Sequence, residues 1–338
     1  MAGGLFWRPS GCIPSLESLG ASQGLLAKHD VAAMVAGAAT SQHPLTVVEL
    51  AGGKVVGDLR LAATRDDVVI GGLQALFGCA DPAGHYALKR RRLRLPKFRR
   101  GTALLLGVAN SDNYYHWMLD ALPRWRLLQA AKFLDYDFVL LPTQTCRFQA
   151  ETLDRLGVPP EKRLRCGKNF VHQFERLVVP AMPFPLEEVT PWACEWVRSL
   201  FPEKGSGPEK LYLTRRGGGR RRLANEAELE EALAARGFVI TQPEQLTVSE
   251  QAKLFSSARC VVAPHGAALT NVVFTPPGAT VMELFHPLHK NRCYVNLADV
   301  CGHRYVGMDG DATQCDNKRK LEYVVNVSEL LPSIPMDA

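Results

Sequence analysis

The chain has 338 residues, a formal net charge of +6, and 46% hydrophobic and 22% charged residues. That length exceeds one ordinary core and predicts about two domains of a globular protein. No run approaches the roughly 18 apolar residues of a membrane span, and Met1–Gly11 lacks a charged stretch followed by a long apolar one, so neither a spanning helix nor a signal peptide is expected.

The first 40 residues give weak signals. Leu45–Leu50 and Lys54–Ala62 read as strands around a turn at Gly52-Gly53, with Asp66–Ile70 as another, making a β-rich and antiparallel opening. Eight of the twelve residues Lys89–Arg100 (KRRRLRLPKFRR) are basic. Such a run is either a solvated loop or a contact with an anionic membrane surface or other polyanion; no nucleic-acid module accompanies it, and nucleic acid is not expected as a partner.

Thr102–Val108 reads as a buried strand, and Asn110–Asn113 as turn and cap residues before a helix over Tyr114–Lys132. On it His116, Asp120 and Arg124 fall four apart and share a face. Pro123 predicts a kink or two helical pieces. Phe138–Leu141 and Arg176–Pro180 read as strands, Phe148–Leu156 and Pro191–Phe201 as helices. The composition of Phe201–Lys210 (FPEKGSGPEK) is that of a linker. These signals predict three domains: 1–202, β-rich and then α/β; 208–310, α/β; and a tail, 311–338, partly helical.

Strand and helix then alternate. Leu211–Thr214 is a strand, followed by a basic loop Arg215–Arg222 with five arginines. Asn225 is expected to cap a helix to Ala235, with Glu228 in capping-box position. Phe238–Thr241, Cys260–Ala263, Thr280–Leu284 and Arg304–Gly307 read as strands, and Ser249–Ser257, Ala267–Phe274 and Asn291–Cys301 as helices. This alternation means a parallel sheet with helices on both faces.

Three groups follow parallel strands and so lie at one edge of that sheet. Arg215 and Arg216 match phosphate oxygens bidentately. The turn His265-Gly266-Ala267, leading to Asn271, presents helix N–H groups to an anion. Glu283 is placed to accept hydrogen bonds from a ribose diol. Together they suit a nucleotide diphosphate. No Walker lysine motif, no G-x-G-x-x-G after the first strand and no Asp-x-Asp in a metal loop is present, so kinases and dinucleotide oxidoreductases fit poorly and no metal or cofactor is expected. His116 and Asp120 offer a general base and its orienting carboxylate. The nine cysteines contain no CxxC pair and indicate neither a zinc site nor a disulfide framework, which fits a reducing cytoplasm.

The stretch NYYHWMLDALPRWRLL (113–128), the segment LYLTRRGGGRRRLANEAELEEAL, the run from GFVI to VMELF and the closing LADVCGHRY together resemble family-61 glycosyltransferases of the surface and capsular polysaccharide type. The resemblance covers about residues 100–307. It implies a GT-B fold, with two Rossmann-like domains facing across a cleft, and metal-independent, inverting transfer from a nucleotide sugar, the substrate, to a glycan or glycolipid acceptor. It places the donor in the C-terminal domain: Arg215 or Arg216 with His265-Gly266-Ala267 on the diphosphate, Asn271 and Glu283 completing the pocket. His116 and Asp120 would face the acceptor. Ala268 departs from a glycine common in the family. Lacking anchor and signal, the chain is expected to be a cytoplasmic relative, peripheral to the inner face of the membrane through 89–100. A protein that binds nucleotide sugar without turning it over, within a polysaccharide assembly, is the alternative.

Overall fold

The computed structural model describes residues 8–13, 26–30, 45–59, 61–71, 73, 84–85, 88, 93–182, 188–216, 221–313 and 321–334. Two compact units, Met1–Leu186 and Glu187–Ala338, make up the chain. Both are mixed α/β. Among the described residues no helix is long and apolar enough to cross a membrane. Lys89–Arg92 of the basic run lies outside the described residues, as does most of 1–40.

In the first unit, β1 (Gly11–Ile13), β2 (Leu26–Asp30), β3 (Thr46–Ala51), β4 (Lys54–Val56), β5 (Leu61–Ala63) and β6 (Val68–Ile70) precede β7 (Lys97–Leu104), β8 (Phe138–Pro142), β9 (Arg163–Cys166) and β10 (Val171–Pro180). They form one sheet in the order β1-β6-β5-β4-β10-β7-β8-β9, with β3 and β2 branching from β10. Gly52-Gly53 is not the expected hairpin turn. β3 and β4 lie end to end along the same edge of β10, each antiparallel to it. Gly52 has φ +68°, and a Cβ on Gly53 would come within 2.7 Å of Leu50 Cβ. The glycines therefore serve a bulge, across which Gly52 N donates to Glu175 O at 2.8 Å and Phe174 N to Gly53 O at 2.9 Å.

β10, β7, β8 and β9 are parallel. The chain steps from β7 outward to β8 and β9, then returns to the other side of β7 as β10. The strand order thus reverses between β7 and β10, and the crevice at their carboxyl ends is the topological switch point. β7 starts at Lys97 rather than Thr102, so the end of the basic run is strand. Pro123 divides the following helix as expected. Before it His116–Ala121 is a π-turn, closed by Leu122 N donating to Trp117 O at 2.8 Å; after it comes α1 (Arg124–Ala130). Pro123 has no N–H for the i→i−4 ladder, and the wider turn accommodates its ring. α2 (Arg147–Arg155) links β8 to β9. Val48, Leu50, Val55, Ala103, Leu140, Phe174 and Leu177 build the core against the sheet.

The second unit begins with α3 (Pro191–Ser199) and continues with β11 (Lys210–Leu213), β12 (Arg221–Leu223), α4 (Glu226–Ala234), β13 (Val239–Thr241), α5 (Val248–Phe255), β14 (Cys260–Pro264), β15 (Thr280–Phe285), α6 (Cys293–Val300), β16 (Arg304–Asp309), β17 (Asp311–Ala312), β18 (Leu321–Val324) and α7 (Val327–Ser333). Gly205 N and Gly207 N donate to Ser256 Oγ and Ser257 Oγ at 2.9 and 3.2 Å, tying the Phe201–Lys210 segment to the end of α5. The five-stranded sheet runs β13-β11-β14-β15-β16 and is parallel throughout. In chain order this is 2-1-3-4-5, whose switch point lies between β11 and β14. Every residue of β14 and β15 is buried, as the apolar run Cys260–Ala263 predicts for β14. β12, β18 and β17 form a small separate sheet, so β16 is not the last strand.

Two local expectations change. Asn225 makes no side-chain cap to α4; its amide donates to Val325 O at 2.9 Å and accepts from Val325 N at 3.1 Å, stitching α4 to the strand end before α7. Ala267–Phe274 is a 3₁₀ helix, not an α-helix.

Candidate active site

The second switch point brings two of the expected groups together. Thr214 and Arg215 follow the end of β11, and His265 follows Pro264 at the end of β14. Glu226, the first residue of α4, accepts from Arg215 N at 2.8 Å and from the hydroxyls of Tyr212 and Thr214 at 3.1 Å each. That carboxylate fixes the backbone from which Arg215 projects. The Arg215 guanidinium donates to His265 O. Gly266 lets the Arg215 guanidinium lie close against the turn. Its φ of 177° suits any residue, but a Cβ would sit 3.1 Å from Arg215 Nη1 and 3.3 Å from Arg215 Cζ. Ala267 and Ala268 are half-buried at the surface of the turn.

His265 is held from its other side by Glu283 on β15. Its Nδ1 bonds Glu283 Oε1, while Tyr305 of β16 donates its hydroxyl to Glu283 Oε2 at 2.6 Å. Both carboxylate oxygens of Glu283 are therefore engaged, and the residue has no exposed surface. The bond to Nδ1 fixes the orientation of the His265 imidazole. The imidazole also stacks on Phe285, with ring centres 5.5 Å apart, and meets His289 and Tyr294 edge-on at 5.2 and 5.4 Å. Burial, with help from Arg221, His265, His286 and Arg215, pushes the His289 imidazole down to about 4, so it is neutral at pH 7. Burial and then Glu283 push the Tyr305 hydroxyl upward, keeping it a donor.

Arg216 and Asn271 go elsewhere. Arg216 pairs with Glu230 of α4 and its side chain is 59% exposed. Asn271 is buried and donates to Gln251 Oε1 at 2.6 Å and Ala268 O at 3.1 Å, fastening the 3₁₀ helix to α5. Arg220 lies outside the described residues.

In the first unit, His116 and Asp120 form the expected pair. His116 Nδ1 lies 2.6 Å from Asp120 Oδ2, with the imidazole 19% exposed and the carboxylate fully buried. Tyr115 packs edge-on against the ring at 5.5 Å, and Trp117 Nε1 donates to Thr152 Oγ1 at 2.8 Å, anchoring the π-turn to α2. The turn leaving β7 is locked by Ser111, whose hydroxyl accepts from Val108 N at 2.7 Å and donates to Val108 O at 2.6 Å.

Arg124, on the same helical face, is fully buried. It donates to Pro180 O at 2.9 Å, Leu106 O at 2.9 Å, and Gly107 O and Leu73 O at 3.3 Å each. It thus joins the carboxyl ends of β7 and β10 across the switch point. Burial lowers its guanidinium to about 9, opposed by Asp120 nearby.

Tyr305, Glu226 and the ring cluster around His265 escape a reading of the sequence. Tyr305 lies on a strand that reads only as apolar packing, and Glu226 looks like an ordinary first-turn helix acid; only the pairing of β11, β14, β15 and β16 places them.

Parallel strands in each unit, with a His–carboxylate pair in the segment that follows one of them, are of the α/β class, in which ligands bind at strand carboxyl ends. The family model described as Glycosyltransferase 61 matches residues 114–282, half of the chain, which therefore belongs to that family. The match takes in His116, Arg215 and His265 and ends one residue before Glu283. The chain is 32% identical over 91 residues to the EGF domain-specific O-linked N-acetylglucosamine transferase of Gallus gallus, covering 25% of this chain and 17% of the relative. It is 37% identical over 86 residues to the beta-1,2-xylosyltransferase XAX1 of Oryza sativa subsp. japonica, covering 25% and 15%. It is 43% identical over 68 residues to the protein O-linked-mannose beta-1,4-N-acetylglucosaminyltransferase 2 of Homo sapiens, covering 19% and 12%. These alignments span about a sixth or less of the curated relatives' length.

Proposed function

We propose that the protein transfers a hexosyl or pentosyl group, with inversion and without a metal ion, from a nucleotide-diphosphate sugar, UDP-linked, to a hydroxyl of a glycan or glycolipid in polysaccharide biosynthesis. The observation that carries this reading is Arg215 held against the His265-Gly266 turn at a switch point, inside the span matched by the family. In the proposed roles the second unit takes the donor. Arg215 and the backbone of the His265-Gly266-Ala267 turn face the diphosphate, and Glu283, held by Tyr305, fixes the imidazole of His265. A fixed guanidinium beside a departing diphosphate is the kind of charge stabilisation worth roughly 3–4 kcal/mol.

The first unit takes the acceptor. Asp120 at Nδ1 holds His116 in the tautomer whose Nε2 accepts the hydroxyl proton, and it stabilises the imidazolium that forms. One displacement with a base on the acceptor gives inversion at the anomeric carbon. The partners proposed are thus a nucleotide sugar, a glycan acceptor and, through the basic strip ending at Arg100, an anionic membrane surface.

The test is donor binding followed by turnover. Nucleoside diphosphates and their sugars are screened by thermal shift without added metal, where a ligand at about 100 times its dissociation constant adds nearly 3 kcal/mol. A shift selective for one diphosphate and lost in Arg215→Ala supports the donor role. Release of that diphosphate in the presence of acceptor, abolished in His116→Ala, supports transfer. Binding without turnover for every acceptor tried moves the reading to a non-catalytic nucleotide-sugar-binding protein.

A further inference from the structure

A second cluster of reactive side chains lies away from the His265 turn, at the other end of the 3₁₀ helix Ala267–Phe274. Cys194 and Arg198 stand one turn apart on α3; Cys301 caps the C-terminus of α6, and His303 follows it. The Cys194 and Cys301 thiols are hydrogen-bonded to one another. Arg198 Nη2 donates to Cys301 Sγ at 3.6 Å, and its Nε donates to Val273 O at 2.8 Å, which fixes the guanidinium beside the sulfur. His303 Nε2 lies 3.0 Å from Val272 O and 2.8 Å from Thr275 Oγ1. A carbonyl only accepts, so the ring proton sits on Nε2, and His303 is fixed by the 3₁₀ helix beside the end of α6.

We propose that Cys301 is a peroxide-reactive thiolate and Cys194 its resolving partner, so that the two close a disulfide between α3 and the end of α6. The Cys301 thiolate attacks one oxygen of hydrogen peroxide; the O–O bond breaks, hydroxide leaves and is protonated to water, and Cys301 becomes a sulfenic acid. The Cys194 thiol then loses its proton and attacks the Cys301 sulfur. The S–O bond breaks and a second water leaves. Two thiols have lost two hydrogens and one peroxide has been reduced to two waters.

Three features support the assignment. The bond from Cys194 and the Arg198 guanidinium hold the Cys301 thiol below its ordinary value against the effect of burial, whereas the same bond raises Cys194. The thiolate is the nucleophile, and these are the neighbours that create one. A cavity of about 240 Å³ lined by Arg198, Phe274, Thr275 and Pro276 adjoins the cluster through Arg198, whose guanidinium reaches the Cys301 sulfur. Among the described residues no group of three His, Cys, Asp or Glu is arranged to hold a metal ion, so metal binding does not account for the pair.

Exposure alone predicts a different order of reaction. Cys12 and Cys146 are half-buried and Cys301 is buried, while burial and Asp112 push the Cys146 thiol up. The experiment treats the reduced full chain with hydrogen peroxide, alkylates the remaining thiols and maps peptides by mass spectrometry without reduction. The expected result is loss of two hydrogens in a peptide pair joining Cys194 to Cys301, before oxidation at Cys12 or Cys146. In Cys194→Ser, a sulfenic acid at Cys301 is trapped with dimedone; in Cys301→Ser, Cys194 stays alkylatable. Cys12 or Cys146 oxidising first, with Cys194 and Cys301 both alkylated, overturns the proposal. The wild-type map requires no variant, so it decides between these outcomes even where a serine variant fails to fold, and none of the readouts depends on sugar transfer.

Discussion

His265 and Glu283 are bonded across neighbouring parallel strands, eighteen residues apart in sequence, at the carboxyl ends of β14 and β15. The bond is possible because Pro264 and Leu284 are register partners, so a residue just past β14 meets one just inside the end of β15. The carboxylate is fully buried and would be costly there alone. The His265 imidazole and the Tyr305 hydroxyl offset that cost, one on each oxygen.

Tyr305→Phe tests this arrangement with the smallest change. The ring remains, and Glu283 Oε2 loses its donor. Leaving a buried acceptor unpaired costs roughly 1–3 kcal/mol of folding stability, read as a lower urea midpoint. If Tyr305 positions Glu283 and His265 for the donor, affinity for the nucleotide falls as well. A variant equal to wild type in both urea midpoint and nucleotide titration removes Tyr305 from the site.

Much of this is legible in the sequence because it is local. The four-residue spacing gives the His116–Asp120 pair, the apolar run gives β14, and Pro123 gives the break between the π-turn and α1. What is not legible depends on pairing. Glycine pairs mark bulges and turns alike, so Gly52-Gly53 looks like a hairpin. Asn225 has the chemistry of a cap, yet the backbone of Val325, a hundred residues away, offers it two hydrogen bonds and wins. Glu283 reads as a ligand group because its strand position is known locally, whereas its partner Tyr305 comes from the next strand.

The two helix starts give a paired prediction. Thr247 has the capping box that Asn225 lacks: its hydroxyl accepts from Glu250 N at 3.1 Å and the Glu250 carboxylate accepts from Thr247 N at 2.7 Å. Thr247→Ala is expected to cost about 1 kcal/mol. Asn225→Asp keeps the acceptor for Val325 N but loses the amide donated to Val325 O, and so destabilises too, although aspartate is a good cap residue. An unchanged or higher melting temperature for Asn225→Asp would restore the capping role.

Arg124 binds four main-chain carbonyls while fully buried, so its removal leaves several acceptors unpaired at once. Arg124→Met is expected to cost roughly 3–5 kcal/mol. Arg124→Lys is not expected to rescue it, because a point ammonium cannot reproduce the planar fork that spans Pro180, Leu106 and Leu73. Chemical denaturation of both variants checks this; a loss below about 1 kcal/mol for the methionine variant contradicts a structural role.

His172 of β10 gives the protein an acid sensitivity. The ring is buried, stacked between Phe170 and Phe174 with centres 5.9 and 6.3 Å away, and neither nitrogen has a hydrogen-bond partner among the described residues. Burial, then Arg99 and Lys97, lowers its imidazole to about 4. The unfolded chain binds a proton below about pH 6.5; the folded chain does not until about 4. Stability is therefore fully present above about pH 6.5, falls as the pH drops through that window and levels off below it. His289 shifts the same way and adds to the slope. His172→Phe fits between the same two rings and is expected to flatten the fall, measured as unfolding midpoints between pH 7 and 4. An identical slope in wild type and variant would assign the effect to other groups.

The basic strip makes a prediction that sequence charge alone could not. Arg94, Lys97 and Arg100 alternate with Leu95 and Phe98, which are 52% and 55% exposed. Large apolar side chains set among exposed cations suit the boundary between anionic head groups and acyl chains, where the cations contribute about 1 kcal/mol each and the apolar groups add burial. The full chain is expected to sediment with vesicles containing phosphatidylserine and much less with phosphatidylcholine alone. Lys97→Gln with Arg100→Gln should remove the part of binding that salt weakens. Leu95→Ser with Phe98→Ser should remove the part that persists at high salt. Equal sedimentation with neutral and anionic vesicles, or no loss in either double variant, would leave the strip as a solvated edge of β7.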